Sequence, residues 1–507
     1  MEIALSQLHT RLWGLEPWAK DEKSHFGIFE DVESNLLFNG GNRNMRSLFF
    51  GFLLVLSSFL PAASLASPLR VEGSRFIDRA GRQVILRGVN VSGASKLPPF
   101  QVIRAAKDLW PLRGWGFNTI RLLFNWEAFE PEKDRYDLDY LRYYLNVIRW
   151  AAFYDLYVIV DIHQDAFSRY TAKGCGEGFP KWTLPPDLIA AEPKNDEVCK
   201  AWFVSAIADK DMHAAWSAFY LNTGGVRDQY LALVRKLSHA IAHERNVIGI
   251  DLMNEPWGEE ETELHALYED AAKEVRQELS DTILFLSPVA LTSLGLKVSK
   301  LPRIDDPNIV HAAHFYDPGL LTNSWSKGAL EQTALTWKTI LGEWQTPLFV
   351  GEFGASPSLP KAADYLDNIY DLLDQELYSG ALWVYTPTWN PETKDGWNQE
   401  DLSISDDKGQ LRDAYRPRPF VEKTPGILVD MRWNRLFRNL SFSYQPSGFG
   451  KFFDLVIPRN FQLSGFGISD RNLACKKLDR DRLRCRTQRQ NSDRLIKVSV
   501  WFKEKKI

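Results

Sequence analysis

Apolar residues recur in eight short runs along the chain, and amphipathic stretches separate the runs. The runs are 83–90, 118–125, 156–163, 247–254, 282–288, 308–316, 346–353 and 380–388. Each is almost continuously apolar, as expected for parallel strands that are buried on both faces. The stretches between them, such as "LDYLRYYLNVIRWAAFY" and "RDQYLALVRKLSHAIAH", carry apolar residues at helical spacing. This alternation predicts an α/β fold, a (β/α)8 TIM barrel. A doubly wound open sheet is the alternative, but no glycine-rich phosphate loop follows the first run.

The pattern changes near residue 415, where short alternating runs replace helical periodicity. We therefore predict a catalytic barrel over 67–415 and a small all-β, sandwich-like domain over 416–507. A long polar insertion, 164–246, separates the third run from the fourth. Because it follows the C-terminal end of a strand, we expect it to lie over the active face and shape a substrate cleft. The alternative is an insertion without a role in the cleft.

The N-terminal part predicts export. Residues 45–66 contain a basic residue, Arg46, then a short apolar run and small residues, which is typical of a secretory signal cleaved after Ala66. An uncleaved anchor is the alternative. Because 1–44 precede this signal, we predict that they are a non-native extension and that Met45 is the true start. The protein is then expected to be secreted or periplasmic.

The cysteines and the net charge indicate which disulfides, metals and partners are expected. Cys175 and Cys199 form one local pair and Cys475 and Cys485 another, and export permits disulfides, so both bridges are predicted. No His/Cys spacing resembles a zinc site, and neither a metal nor a cofactor is implied. The net charge of −4 is close to neutral for this length, so we expect no nucleic-acid partner. A monomer is expected.

Two glutamates stand at the ends of predicted strands. Glu255 ends the fourth run and Glu352 ends the seventh. In a TIM barrel the chemistry lies at the C-terminal ends of the strands. A single acid there is usually structural, but two acids from opposite sides of the barrel are the pair that glycoside hydrolysis needs.

The neighbouring residue types suit that chemistry. Asn254 lies beside the first acid and could bind a sugar hydroxyl, and a buried Arg121 would keep Glu352 ionised. Further side chains near strand ends complete a polar ring with a flat apolar floor: His163, His314, Tyr316 and Trp383.

Four motifs carry a resemblance to a known family. They are "DIHQDAFSR" (161–169), "DLMNEPWG" (251–258), "DGWNQEDLS" (395–403) and "YRPRP" (415–419). Together they resemble the endoglycoceramidases, within glycoside hydrolase family 5 and its retaining clan, over about residues 68–460. The Asn-Glu-Pro triplet alone is shared with cellulases and mannanases, so the combination of motifs carries the specificity.

The resemblance implies a retaining double displacement, with Glu255 as acid/base, Glu352 as nucleophile, and their carboxyls roughly 5–5.5 Å apart. It also implies a glycosphingolipid substrate, cut between glycan and ceramide, and transient contact with a membrane surface or micelle. The residues that it assigns to the substrate are Lys96, His163, Asp165 and Asn254 on the first sugar, Tyr316 on the nucleophile and Trp383 as sugar platform, with Trp182 as a possible second platform. The alternatives are an enzyme selective for galactosyl- or glucosylceramide, a β-1,4-glucanase or mannanase, and a non-catalytic glycolipid-binding barrel.

Overall fold

The computed structural model describes residues 67–188, 190–322, 324–447, 451–469, 473–487 and 494–505. The predicted extension (1–44) and signal peptide (45–66) lie outside these residues. Among the residues described, no helix combines the length and the apolar character that crossing a bilayer requires.

Eight parallel strands form a barrel in chain order, which confirms the predicted (β/α)8 fold. They are Arg87–Val91, Thr119–Asn125, Tyr157–His163, Val247–Asp251, Ile283–Leu286, Ile309–His311, Phe349–Val350 and Ser379–Tyr385. The eighth strand pairs with both the first and the seventh. Two short extensions, His314–Phe315 and Glu352–Phe353, pair in parallel and join the sixth strand to the seventh. The predicted first run is divided, because Gln83–Val84 belongs to a different sheet and the barrel strand begins at Arg87.

Helices lie in the segments that connect the barrel strands. They are Trp110–Gly114, Trp126–Phe129, Leu138–Phe153, Trp202–Ala208, Lys210–Tyr220, Val226–Ile241, His265–Glu278, Lys327–Trp344 and Ala362–Gln375. Several begin where a polar side chain accepts hydrogen bonds from the free N–H groups of the first turn, as Asp137, Asp209 and Ser326 do. Their apolar faces pack on the strands and form the main core of the molecule.

The lower half of the barrel interior is filled by apolar side chains. Ile159, Phe285 and Phe349 belong to this inner cluster, which also takes in Phe76 from the hairpin that precedes the barrel. The rings of Phe76 and Phe285 stack with centroids 6.4 Å apart. A Cβ at Gly249 would lie 2.4 Å from the Phe285 ring, so only glycine fits there. The interior is therefore closed below the site.

The C-terminal part is all-β, as predicted, and consists of two antiparallel sheets. One contains Gly426–Asn434, Asn439–Pro446, Ile496–Glu504 and Phe461–Ile468. The other contains Phe420–Thr424, Phe452–Val456, Arg482–Thr487 and Leu473–Lys477, together with the N-terminal strands Leu69–Glu72, Arg75–Asp78 and Gln83–Val84. Buried side chains from both sheets, among them Tyr444 and Phe453, share one core.

The "YRPRP" segment joins the barrel to these sheets through buried ion pairs. Arg418 contacts the carboxylates of Asp367, Asp371 and Asp374 on the last barrel helix. Asp374 also pairs with Arg87 of the first strand at 2.7 Å. Because these groups are mostly buried, removal of one partner would leave a charge without compensation.

Both predicted disulfides are present. Cys475 and Cys485 lie directly opposite each other on neighbouring antiparallel strands. Cys175 and Cys199, which are 24 residues apart in sequence, close a loop within the insertion that follows the third strand.

Candidate active site

The two predicted glutamates meet at the C-terminal end of the barrel. Glu255 follows the fourth strand with φ at +35°, a strained conformation for a non-glycine residue. The side-chain amide of Gln164 holds this backbone by donating to the carbonyls of Asn254 and Glu255. Glu352 begins the extension of the seventh strand. One carboxylate oxygen of each glutamate and one ring nitrogen of His314 lie within 4.8 Å of one another.

A fully buried arginine organises the floor of this site. The guanidinium of Arg121 donates to Glu352 Oε1 at 2.9 Å and to Asn254 Oδ1 at 2.8 Å. It also donates to Asp161 at 2.9 Å and to Asp251 at 3.1 Å. One planar cation therefore fixes side chains from the second, third, fourth and seventh strands relative to one another.

The environments of the two glutamates differ. Burial and the nearby charge of Asp165 raise the pKa of Glu255 to about 7, although the Ser293 hydroxyl opposes this by donating to Glu255 Oε1 at 2.6 Å. Burial also raises the pKa of Glu352, and the charge of Arg121 opposes that rise. Glu255 can therefore exchange a proton near neutral pH.

His314, on the extension of the sixth strand, contacts both glutamates, and Tyr316, which follows that extension, contacts Glu352. His314 Nδ1 lies 2.9 Å from Glu255 Oε1 and 3.7 Å from Glu352 Oε2. Burial lowers the pKa of His314 to about 4, so its ring is neutral at physiological pH. The Tyr316 hydroxyl donates to Glu352 Oε2 at 3.0 Å.

A lysine lies between two tryptophan rings at the polar end of the site. Lys96 Nζ is 4.3 Å from the ring centroid of Trp383 and 3.8 Å from that of Trp397. It also donates to the Asp165 carboxylate. Burial opposes ionisation of Asp165, but Lys96 and His163 outweigh it and hold the pKa of Asp165 well below its usual range. This pair is ionised throughout the physiological range.

His163 stacks on the ring of Trp383. Its ring is nearly parallel to that of Trp383, with centroids 5.5 Å apart, and Nδ1 bonds Asp161 at 2.7 Å. Burial would lower the pKa of His163, but the negative charge of Asp161 outweighs it and raises the pKa to about 10. Its other nitrogen, Nε2, makes no hydrogen bond in the described part of the chain and lies 3.6 Å from the Asp165 carboxylate and 3.7 Å from that of Glu177.

These side chains surround one cavity of about 350 Å³. Of the residues predicted from the sequence, those that line it are Lys96, Asp165, Glu255, Glu352, Tyr316 and Trp383. The others are buried among them: Arg121, His163, Asn254 and His314. The lining also has an apolar part, formed by Phe203, Val204, Leu294, Leu320, Leu359 and Leu402. Polar and apolar side chains therefore line the same cavity.

The long insertion contributes to this cavity, because residues 200–204 line it. The sequence did not identify Trp202, whose indole N–H donates to Glu400 Oε1 at 3.2 Å. It also left out Glu400 itself, although this residue lies in the "DGWNQEDLS" motif. Trp182 lies elsewhere: its ring packs edge-on against Trp126 and its N–H donates to a backbone carbonyl.

Among the residues that the structure describes, two buried groups could each offer three ligands to a metal ion. They are His163, Asp165 and Glu177, and Glu255, His314 and Glu352. In each group a cation of the protein already contacts one carboxylate, namely Lys96 on Asp165 and Arg121 on Glu352. The arrangement is therefore that of ion-paired acids.

The family follows from a comparison of the whole sequence. A family model described as cellulase (glycosyl hydrolase family 5) matches residues 77–388, which is more than half of the chain. The chain belongs to this family and is a glycosidase, as the motifs predicted. The matched range includes both glutamates and every barrel strand.

Two characterised sequences and one solved structure show which proteins of known activity this chain is similar to. The chain is 25% identical to an endoglycoceramidase of Cyanea nozakii over 442 residues, which are 77% of this chain and 84% of that protein. It is 37% identical to a glucosylceramidase of Aspergillus fumigatus over 141 residues, which are 23% of this chain and 18% of that protein. A solved structure of endo-glycoceramidase II from Rhodococcus sp. in complex with ganglioside GM3 superposes with a TM-score of 0.71 at 22% identity. The match covers 85% of this chain and 99% of that one, and it is a likeness of fold.

Proposed function

We propose that the protein is an exported, retaining endo-β-glycosidase that hydrolyses the bond between oligosaccharide and ceramide in glycosphingolipids. The observation that carries the proposal is a pair of buried glutamates, Glu255 and Glu352, in one cavity that is lined by both polar and apolar side chains. The polar side chains of this lining form its polar wall, and the apolar side chains form its apolar wall. Neither wall alone would suit a substrate that is half sugar and half lipid.

The close approach of the two carboxylates supports a retaining mechanism. Retaining glycosidases have carboxyls roughly 5–5.5 Å apart, whereas inverting enzymes leave roughly 6.5–9.5 Å for a water molecule. Oxygens of Glu255 and Glu352 within 4.8 Å of each other fit the first arrangement. Glu352 then attacks the anomeric carbon while Glu255 protonates the departing oxygen. In the second step Glu255 takes a proton from the water that releases the sugar.

The hydrogen bonds suit these roles. Glu352 has Arg121 on one carboxylate oxygen and the Tyr316 hydroxyl on the other, and both contacts favour the ionised form that a nucleophile needs. Glu255 contacts the neutral groups Ser293 and His314, and its pKa of about 7 suits a group that first gives and then accepts a proton.

The polar wall supports recognition of the first sugar. Trp383 offers a flat apolar face, and Lys96, Asp165, His163 and Asn254 lie around it. Lys96 and Asp165 are fixed by their mutual ion pair before substrate arrives, so binding requires little reorganisation of these side chains.

The apolar wall supports a lipid leaving group. Burying each CH₂ of a ceramide chain gains about 0.8 kcal/mol, so a channel lined by leucine and phenylalanine stabilises the aglycone of a glycolipid. A cellulose or mannan chain has hydroxyl groups on both sides of the scissile bond and would gain little there. The similarity to the Cyanea nozakii endoglycoceramidase points to the same class of substrate.

A substrate panel tests the proposal. The protein is incubated with a ganglioside, a galactosyl-linked ceramide, glucosylceramide and carboxymethylcellulose, and the products are resolved by chromatography. Free ceramide together with an intact oligosaccharide is the expected result. Cleavage of glucosylceramide alone would favour a second candidate function, that of an enzyme selective for glucosylceramide. The local similarity to the Aspergillus fumigatus glucosylceramidase supports this candidate. Soluble oligosaccharides from cellulose alone would contradict both.

Export is a separate part of the proposal. The signal at 45–66 and the two disulfides support an oxidising compartment for the mature chain. N-terminal sequencing of the secreted protein should start at Ser67. A mature chain that retains Met1 would contradict both the signal and the assignment of Met45 as the start.

A further inference from the structure

The insertion after the third barrel strand carries an apolar stripe on its outer side, formed by Val198, Ala201, Val204 and Ile207. These residues recur at every third position through the turn Glu197–Ala201 and the helix Trp202–Ala208, so they project to one side. All four are exposed, Val198 by 58%, Val204 by 56% and Ile207 by 40%. A surface helix normally turns its apolar face inward, so this stripe needs an explanation.

The stripe is held rigidly. Between its first two members, Cys199 is buried and bonded to Cys175. Asn195 donates to the carbonyl of Gly396 at 3.0 Å and accepts from the backbone of Asn398 at 2.6 Å. With the bond from Trp202 to Glu400, the insertion is fastened to the loop after the eighth strand.

The stripe continues into the active-site cavity. Ala201 and Val204 line the same cavity as Glu255 and Glu352. A second pair of exposed aliphatic residues, Leu296 and Val298, lies in the loop after the fifth strand, and each is exposed by 60%. Leu294 of that loop also lines the cavity. Apolar surface therefore extends outward from the cavity wall on two separate loops.

Acidic residues outnumber basic ones beside the stripe. Between residues 196 and 211 the chain has two lysines, Lys200 and Lys210, and four acids, Asp196, Glu197, Asp209 and Asp211. Net charge therefore does not attract this surface to anionic groups, and its apolar side chains favour an apolar occupant. The lipid layer that contains a glycolipid substrate has this character.

We propose that the stripe and the Leu296/Val298 pair dock onto a lipid bilayer and place the opening of the cavity on the membrane. The aglycone then passes from lipid into the apolar channel without crossing water, where its chains would be strongly disfavoured. The identity of the lipid partner rests on the proposed function, whereas the docking surface itself rests on the exposed stripe.

The test uses a double variant of two stripe residues outside the cavity wall, Val198→Asp with Ile207→Asp, in the full chain. Binding to phosphatidylcholine vesicles is measured by co-sedimentation, with and without added NaCl. Hydrolysis is measured on lactosylceramide in the same vesicles and on a soluble aryl lactoside. We expect vesicle binding and vesicle hydrolysis to fall by roughly tenfold or more, the aryl lactoside rate to stay within about twofold, and salt to change wild-type binding little.

The matched control is Leu335→Asp with Leu436→Asp, which places the same charges on two exposed leucines outside the stripe and the cavity lining. It should bind and hydrolyse like the wild type. Equal vesicle binding by the stripe variant and the wild type would overturn the proposal. Failure of the wild-type protein to bind vesicles would also overturn it and leave a protein partner as the occupant. If the wild type binds vesicles but cleaves no glycolipid, the proposed substrate is wrong, and the comparison of binding still decides the docking surface.

Discussion

The hydroxyl of Ser293 donates a hydrogen bond of 2.6 Å to Oε1 of Glu255. This contact stabilises the carboxylate form and opposes the burial that raises the pKa of Glu255 to about 7. Because the proposed acid role of Glu255 requires its protonated form, the activity should fall as pH rises through that pKa. The serine is therefore expected to help set the upper pH limit of the reaction.

Replacing Ser293 by alanine should move this limit upward. Loss of a hydrogen bond to the charged form raises the pKa of Glu255, so the alkaline limb of the kcat/KM profile should shift by about one pH unit to higher pH. The control is Thr292→Ala, because the neighbouring hydroxyl donates to the Val289 carbonyl instead. An alkaline limb that stays in place, or moves to lower pH, would show that Ser293 does not act on the acid.

The proposed roles of the two glutamates predict different responses to the same substitution. Glu352→Gln removes the nucleophile and should abolish turnover of every substrate, by roughly 10⁴-fold or more. Glu255→Gln removes proton donation, which an aryl leaving group hardly needs, so the first step on an aryl lactoside should survive while glycolipid hydrolysis is lost. A pre-steady-state burst of the aryl product in Glu255→Gln, and none in Glu352→Gln, is the expected observation. If both variants behave alike on the aryl substrate, the assigned roles are wrong.

The barrel and the pairing of its acids could be predicted because both depend on regular patterns. Continuous apolar runs mark buried parallel strands, and the rule that chemistry lies at their C-terminal ends brings Glu255 and Glu352 together. The same rule predicted that Arg121 lies close to Glu352. In the structure the Arg121 guanidinium donates a hydrogen bond of 2.9 Å to the Glu352 carboxylate. The short strand extensions that close the barrel at His314 and Glu352 have no separate signal in the sequence.

Loop geometry was the part that the sequence could not supply. Glu400 lies in a quoted motif, but its place beside Lys96 and Trp202 depends on how two distant loops pack. Trp182 looked like a sugar platform because of its residue type and position in the insertion, yet its ring packs against Trp126. The division of the first apolar run at Arg87 likewise depends on a sheet formed with strands more than 300 residues away.

Glu400 should prove to be a sugar contact. Its Oε2 atom is buried, makes no hydrogen bond within the described ranges and lies 4.0 Å from Lys96 Nζ, while Oε1 accepts from Trp202. A buried acceptor without a hydrogen bond is costly, and a sugar hydroxyl in the polar end of the cavity would supply one. We expect Glu400→Gln to raise KM for lactosylceramide by roughly tenfold or more, with a smaller change in kcat. Glu392→Gln, an exposed residue on the same loop, should leave both constants unchanged. Equal KM values for the two variants would remove Glu400 from the binding site.

The Cys175–Cys199 bridge should matter for substrate binding as well as for stability. Replacement of both cysteines by serine opens a loop with a sequence separation of 24, which should lower the free energy of unfolding by about 3 kcal/mol. It should also raise KM for glycolipid, because residues 200–204 of the cavity wall follow Cys199 directly. Thermal unfolding and steady-state kinetics measure the two effects.

A variant of the second disulfide distinguishes the effect on stability from the effect on substrate binding. Replacement of Cys475 and Cys485 by serine opens a shorter loop, with a separation of 10, and should cost a similar amount of stability, again about 3 kcal/mol. This hairpin lies in the C-terminal sheets, and none of its residues lines the cavity. KM should therefore rise only in the Cys175/Cys199 variant. If KM rises equally in both variants, lost stability explains the kinetics, and the insertion does not shape the site through its disulfide.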